Sequence, residues 1–293
     1  MTFCLEMESV NTIGKRSKQL NKIKRDKVAG AVYGFAIGDA MGATTEFMNR
    51  EQIKKQYGQV TDIIGGGWLG LKAGEVTDDT QMTLCVMDAL MAKPTSVSEF
   101  QKGCAQRFAN WMLYDNPKDI GNCCARGIQH YVATGKAIPR DDTLLGNGSL
   151  MRAMPCALLD NKAFNLAQSR LTHNNPMVDK AIAVYHSNVV SLMASTLATM
   201  VNVSDGLVDP DGHVYNTLNN ALYWASEGTF EEAIVGAVNH GGDADTIAAI
   251  AGSLAGARFG FNAVPKRWID QLDRVTKLQL KKFIFFVFSC LQI

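Results

Sequence analysis

Nowhere in the 293 residues does an apolar run reach the roughly 18–20 positions needed to cross a bilayer. The longest, Phe283 to Leu291, is too short to span and wrongly placed for a secretory leader. The first ten residues carry Glu6 and Glu8 where a leader would be basic and then apolar. A surplus of one charge is missing too: 29 basic residues against 28 acidic ones leave +1. A dedicated nucleic-acid binder needs a basic excess to displace phosphate counterions, so that class is excluded. Seven cysteines include no C-x-x-C pair, and Cys123 sits directly beside Cys124. Disulfide scaffolds and zinc ribbons therefore fail, and thiols acting as small hydrophobes in a reducing cytoplasm are expected. Strand signals are scarce as well, limited to Val60–Ile64 and short pieces near Val208 and Val214.

What is present is helical. Hydrophobic residues make up 47% of the chain, enough for a sizeable core. Apolar residues recur at three- and four-residue spacing in windows 81–92, 97–114, 122–133, 149–160, 178–201, 218–226 and 230–238. Gly30, Gly34 and Gly38 recur every fourth residue, and Ala248, Gly252 and Gly256 repeat the pattern. Glycine costs a helix about 1 kcal/mol relative to alanine, so the pattern predicts two small-residue helices packed closely at the centre. Residues 1–26 differ, with six basic side chains between Lys15 and Arg25 and few large apolar ones after Ile13. They read as an extension, either a solvated tail or an arm that covers a site or a partner. The expectation is an all-α protein with one helical domain over 27–293. The apolar Phe283–Phe288 stretch is read as a closing core element, with an oligomer contact as the alternative.

Two acidic segments stand just before apolar-periodic runs: Thr77, Asp78, Asp79 and Thr80, and then Asp243, Asp245 and Thr246. Either could be a helix cap, since carboxylates and hydroxyls satisfy free N–H groups at a helix start. One acid suffices for that, and each segment has two. If the segments meet, four carboxylates in one site are unfavourable unless cations neutralise them, and two divalent ions would do so. An all-oxygen set suits Mg²⁺, Mn²⁺ or Ca²⁺ better than Zn²⁺. A glycine-rich turn, Gly146, Asn147, Gly148 and Ser149, could cradle an anion such as a diphosphate.

These segments, in this order, resemble the ADP-ribosylglycohydrolase family. The likeness begins at Gly30–Gly42 with Glu46, continues through Val76–Thr80, Asp119–Asn122, Gly146–Arg152 and Thr172–His173, and closes at Gly241–Gly256. The resemblance implies a compact all-α domain with a binuclear Mg²⁺ or Mn²⁺ centre beneath an ADP-ribose cleft. It implies Thr77, Asp78, Asp79, Asp243, Asp245 and Thr246 as metal ligands. Gly146, Asn147, Gly148, Ser149 and His173 would bind the substrate, and Asp119, or alternatively Glu46, would handle the proton. Asp39 is the more structural acid. The implied reaction removes ADP-ribose from a modified protein side chain, with arginine favoured over serine because of the Asp119–Asn122 match. The resemblance also implies a second role, an immunity protein that binds an ADP-ribosylating toxin through residues 1–26. A phosphatase reading of Asp243 and Asp245 is disfavoured, because Asn239–Gly242 precede them in place of a buried apolar strand.

Overall fold

A computed structural model describes residues 2–195, 200 and 206–293, and their side chains from residue 18 onward. Thirteen α-helices run through the described residues. In chain order they are α1 (Thr2–Gly42), α2 (Arg50–Tyr57), α3 (Asp78–Met91), α4 (Val97–Tyr114), α5 (Asn122–Thr134), α6 (Met154–Leu158) and α7 (Lys162–Ser169). They continue as α8 (Pro176–Ala194), α9 (Val214–Ser226), α10 (Phe230–His240), α11 (Ala244–Phe259), α12 (Lys266–Gln271) and α13 (Arg274–Leu291). No strand occurs among the described residues, only two isolated bridges, Gly66 with Leu71 and Gly146 with His213. Among the described residues no helix is long and apolar enough to cross a membrane.

The centre of the fold is the seam between α1 and α11. A Cβ added to Gly30, Gly34, Gly38 or Gly42 would strike the backbone of Gly256, Gly252, Ala248 or Ala244 respectively. As one number rises by four the other falls by four, so the two helices run antiparallel, in contact turn by turn. Small residues let the backbones approach this closely, which is the reason for helical glycines at these positions. Every residue of α11 from Ala244 to Ala257 is buried, as expected of a helix apolar on all sides. Helices α8, α9 and α10 pack against α11, α3 pairs with α4, and α13 lies against α1 and α3. The seam therefore sets the end of α1, with Asp39 in it and Glu46 in the turn that follows, beside the start of α11, with Asp243 and Asp245.

The helical windows match the structure except at particular boundaries. The 149–160 window is mostly hydrogen-bonded turns, with Leu150 N–H donating to Asn147 O at 2.7 Å and Ala153 N–H to Leu150 O at 3.0 Å. The helix there, α6, starts only at Met154, where Pro155 fits the first turn. The 178–201 window starts earlier, because the Asn175 side chain caps Met177 N–H at 2.7 Å. Its helix ends at Ala194; the tail of that window, 196–199 and 201, lies outside the described residues. The strand-like pieces are held by side chains in place of a sheet: Val60 N–H donates to Asn239 Oδ1 and Val208 N–H to Asn220 Oδ1. Val214 opens α9.

At the N-terminus, α1 runs without interruption from Thr2 to Gly42 and so continues straight through Asp26 and Lys27. Lys27 is buried and its ammonium donates to the carbonyls of Leu192 and Ser195 near the end of α8. The side chains of residues 2–17, on which the arm reading depends, lie outside the described set. In α13, Phe283, Ile284 and Val287 are buried while Phe285 is exposed, so the apolar stretch closes the core with one face.

Candidate active site

The two acidic segments meet. Thr246 Oγ1 donates to Asp79 Oδ2 at 3.3 Å, joining residues 167 positions apart. Asp78 and Asp79 open α3, while Asp243 immediately precedes α11 and Asp245 lies in its first turn. Together with Glu46, Asp119, Thr246, Gly146–Gly148 and His173 they line one cleft of about 470 Å³. Glu46, Asp243 and Asp245 each present an oxygen within 4.8 Å of the others.

The free N–H groups at the start of α3 are met by other residues. Thr77 Oγ1 accepts from Asp79 N–H at 3.2 Å. Asp39, fully buried at the end of α1, accepts from Thr77 N–H at 3.1 Å and Thr80 N–H at 3.0 Å. Asp39 thus works as a cap supplied by another helix. Asp243 is held by Asn147, whose side-chain amide donates to its Oδ2 and, at 2.9 Å, to Thr217 Oγ1. That contact ties the glycine-rich turn to the acids.

Among the described residues that line the cleft there is no lysine or arginine to balance these acids. Burial pushes Glu46 up to about 8, and Asp243, Asp119 and Asp78 add to the rise, while the Trp68 indole N–H opposes it. Burial, with Asp119 and Asp39, brings Asp78 to about 7. Asp79 and Asp245 are pushed well above the carboxylate range, first by burial and then by neighbouring acids. Asp79 Oδ1 is buried with no hydrogen-bond partner among the described residues. A buried orphan oxygen among crowded carboxylates and a threonine hydroxyl is a donor set suited to a hard divalent cation, so the residues present fit such an ion.

Gly146, Gly148 and His173 line the same cleft. A Cβ on Gly148 would sit 2.7 Å from Cys124 Sγ and 3.1 Å from His173, so the turn leaves no room for a side chain. Burial, reinforced by Arg152, lowers His173 to about 3, so its ring is neutral at physiological pH. Its Nδ1 is 2.7 Å from Thr172 Oγ1, and that hydroxyl already accepts from Arg152 Nη2 at 2.7 Å. His173 Nε2 faces Gly146 and Gly148, and it carries the ring proton in the tautomer whose Nδ1 accepts from Thr172. Arg152 itself is fully buried, donates to Gly148 O at 2.7 Å and lies 4.6 Å over the Phe108 ring. It fixes both the turn and the histidine.

Not every residue singled out in the sequence faces the cleft. Ser149 lies beneath it, fully buried, with its hydroxyl 2.9 Å from Ser169 Oγ. Thr77 is engaged as a cap and borders an adjoining cavity, which the cleft meets at Asp78 and Asp119. Asp119 is half-buried at that junction. Sequence reasoning missed Phe47, Asp211 and Met151 on the cleft wall and Trp68 on Glu46. The signals were there for two of them: Gly65–Gly67 before Trp68, and the turn sequence of Asp209, Pro210, Asp211 and Gly212.

Known proteins share this sequence pattern and this fold. The ADP-ribosylglycohydrolase family model matches residues 20–205 and 186–285. The chain is 36% identical to ADP-ribosyl-[dinitrogen reductase] glycohydrolase of Rhodospirillum rubrum over 280 residues, covering 88% of this chain and 94% of that protein. It is 30% identical to ADP-ribosylarginine hydrolase Tri1 of Pseudomonas putida, covering 84% of this chain and 74% of that one. A solved structure described as an ADP-ribosylglycohydrolase-related protein complex superposes with a TM-score of 0.79 at 29% identity, over 92% of this chain and 99% of the other. With the family model reaching from residue 20 to residue 285 and a relative of this likeness along almost its full length, the chain belongs to the ADP-ribosylglycohydrolase family.

Proposed function

We propose that the protein hydrolyses the bond between ADP-ribose and an arginine side chain of a modified protein, with Mg²⁺ or Mn²⁺ bound. The observation that carries this reading is the Thr246–Asp79 contact, which joins two acidic helix starts on the floor of a single cleft. Names of relatives add the linkage: one acts on ADP-ribosyl-dinitrogen reductase and another on ADP-ribosylarginine.

Asp78, Asp79, Asp243, Asp245 and Thr246 would hold two divalent ions, with Glu46 adding an oxygen beside Asp243 and Asp245. When bound, such ions neutralise the acids, fix sugar hydroxyls and lower the pKa of a coordinated water. The rest is done by the chain. The Gly146–Gly148 turn would take the diphosphate on its backbone N–H groups, and His173, with Nε2 protonated, would donate to it while the ring stays uncharged. Asp243, clamped by Asn147, keeps the turn and the acids in one register. As the glycosidic bond breaks, positive charge grows on the ribose, and the carboxylates around the cleft stabilise it. A water must lose a proton as its oxygen bonds to the ribose carbon, and the departing guanidine nitrogen must gain one. With Glu46 grouped among the ion-holding oxygens, Asp119 is the carboxylate left for that transfer. Its half-buried place between two cavities gives its oxygens access to solvent.

Incubation with arginine-linked and serine-linked ADP-ribosylated substrates tests the proposal. Free ADP-ribose should appear from the arginine linkage, only with Mg²⁺ or Mn²⁺, and stop on chelation. Release from serine alone, or release unaffected by chelator, would overturn it.

A further inference from the structure

The Glu46 end of the cleft carries aromatic surface that packing does not require. Phe47 lines the cleft yet is 67% exposed, and Trp68 beside it is 52% exposed. Their ring centroids lie 5.4 Å apart at 50°. Phe47 has φ 60°, a left-handed backbone that a residue with a Cβ adopts at a cost. The conformation is secured by Phe47 N–H donating to Gly242 O at 2.7 Å. Trp68 follows Gly67, whose φ of 67° and contact with the Ala43 carbonyl leave no space for a Cβ. The Phe47 ring thus stands on the cleft wall with the Trp68 ring against it. The Trp68 ring is also anchored, since its indole N–H donates to Glu46 Oε2 at 2.6 Å.

We propose that Phe47 and Trp68 form the subsite for the side chain leaving the ribose, with a planar guanidinium laid against their faces beside Glu46. The inference rests on the hydrolase reading above. Contacts run from Asn147 of the glycine-rich turn to Asp243, from Asp243 and Asp245 to Glu46, and from Glu46 to Trp68, so a substrate whose diphosphate lies on the turn and whose ribose lies on the acids directs its leaving side chain toward the rings. Aromatic faces complement a cation, and a planar guanidinium stacks on such rings. A serine-linked substrate offers no charge for these rings to hold.

The test measures KM for an ADP-ribosylated arginine peptide and, by calorimetry, Kd for ADP-ribose, which lacks the leaving side chain. Phe47→Ala should raise KM about three- to thirtyfold, the span of a cation–π contact from exposed to desolvated, and leave the ADP-ribose Kd within about twofold. Trp68→Ala should do the same, and Trp68→Phe, which keeps a ring, should recover most of the loss. Phe47 is exposed, so its truncation leaves the core intact. Parallel weakening of ADP-ribose binding would place the sugar nucleotide on the rings and overturn the inference, as would an unchanged KM. A wild-type protein inactive on arginine linkages overturns the hydrolase reading and this one together, whereas an active wild type with unmoved variants overturns this one alone.

Discussion

Helices α3 and α11 both start at a pair of aspartates, but they satisfy their first N–H groups differently. In α3 the capping is done by Thr77 from within and by Asp39 from α1, so neither Asp78 nor Asp79 is needed for it. In α11 no side chain caps the helix from Asp243, and Asp245 Oδ1 takes Thr246 N–H at 2.9 Å. Neither acid of α3 is spent on its own helix, Asp78 accepting from the Gly121 backbone and Asp79 from the Thr246 hydroxyl, while Asp245 of α11 gives an oxygen to its own helix. Capping explains an acidic helix start only when the acid makes the cap, and in α3 it does not. The buried charge of Asp78 and Asp79 has its use elsewhere, facing the other start across the cleft.

The sharpest test of this difference is to remove one acid from each side. Asp79→Ala and Asp245→Ala should each cut activity by more than about a hundredfold, since even residues supporting a metal ligand cost 10- to 100-fold. Their stabilities in chelator should part. Asp79→Ala removes a buried, orphaned oxygen and repulsion from Asp78, which offset the loss of the long Thr246 hydroxyl contact, so the metal-free protein should melt close to wild type. Asp245→Ala also loses a backbone partner and should melt lower. Equal behaviour in chelator would erase the asymmetry.

A second test moves the two starts apart. Gly42→Ala puts a methyl against Ala244, beside the acids, and Gly30→Ala puts one against Gly256, at the far end of the same seam. Each should destabilise by about 1–3 kcal/mol or more, as overpacking does. Only Gly42→Ala should also weaken Mn²⁺ binding, measurable by calorimetry. If both weaken it alike, the seam does not set the acid spacing locally.

How much of this was legible in the sequence follows from what kind of interaction fixes each part. The α1–α11 seam could be read because small residues every fourth position have few uses other than close helix contact, and Gly34 against Gly252 is that contact. The all-α class and most windows followed from apolar spacing. The acid pairs flagged themselves by exceeding what a cap needs. What escaped depended on partners distant in the chain: Asp39 capping α3, Arg152 holding the Gly148 carbonyl and Thr172, and Trp68 on Glu46. A glycine-rich turn does not disclose which way its last hydroxyl points, and that of Ser149 is met by Ser169 Oγ. Val60–Ile64 looked like a strand because its apolar cluster is real. The partner of Val60 N–H, however, is the Asn239 side chain.

The same acids make the metal-free protein sensitive to pH. Glu46 and Asp78 titrate at about 8 and about 7 in the fold, against roughly 4 in an unfolded chain. The folded state therefore holds protons that the unfolded state has lost, so stability falls as pH rises from about 4 toward 8. His173 acts in the opposite sense but in a lower range. Lowered to about 3 in the fold, it costs stability only as pH drops below its unfolded value of about 6.5. In chelator, melting temperature should decline between about pH 6 and pH 8, and added Mn²⁺ should restore more at the upper end than at the lower. A metal-free melting temperature that climbs over that interval would contradict the crowding of these carboxylates.

The smallest expected effect separates Thr77 as a cap from Thr77 as an ion ligand. Losing an N-cap hydroxyl costs about 0.5–2 kcal/mol. Thr77→Ala should fall at the low end, because Asp39 still holds Thr77 N–H and Thr80 N–H. Thr77→Ser keeps the hydroxyl and should recover the loss. If capping is all the hydroxyl does, the alanine variant will lose stability in chelator but keep its Mn²⁺ affinity. A drop in affinity larger than the drop in stability would show that the oxygen also reaches the ion. The start of α3 would then resemble that of α11, where Asp245 serves the backbone and the cleft at once.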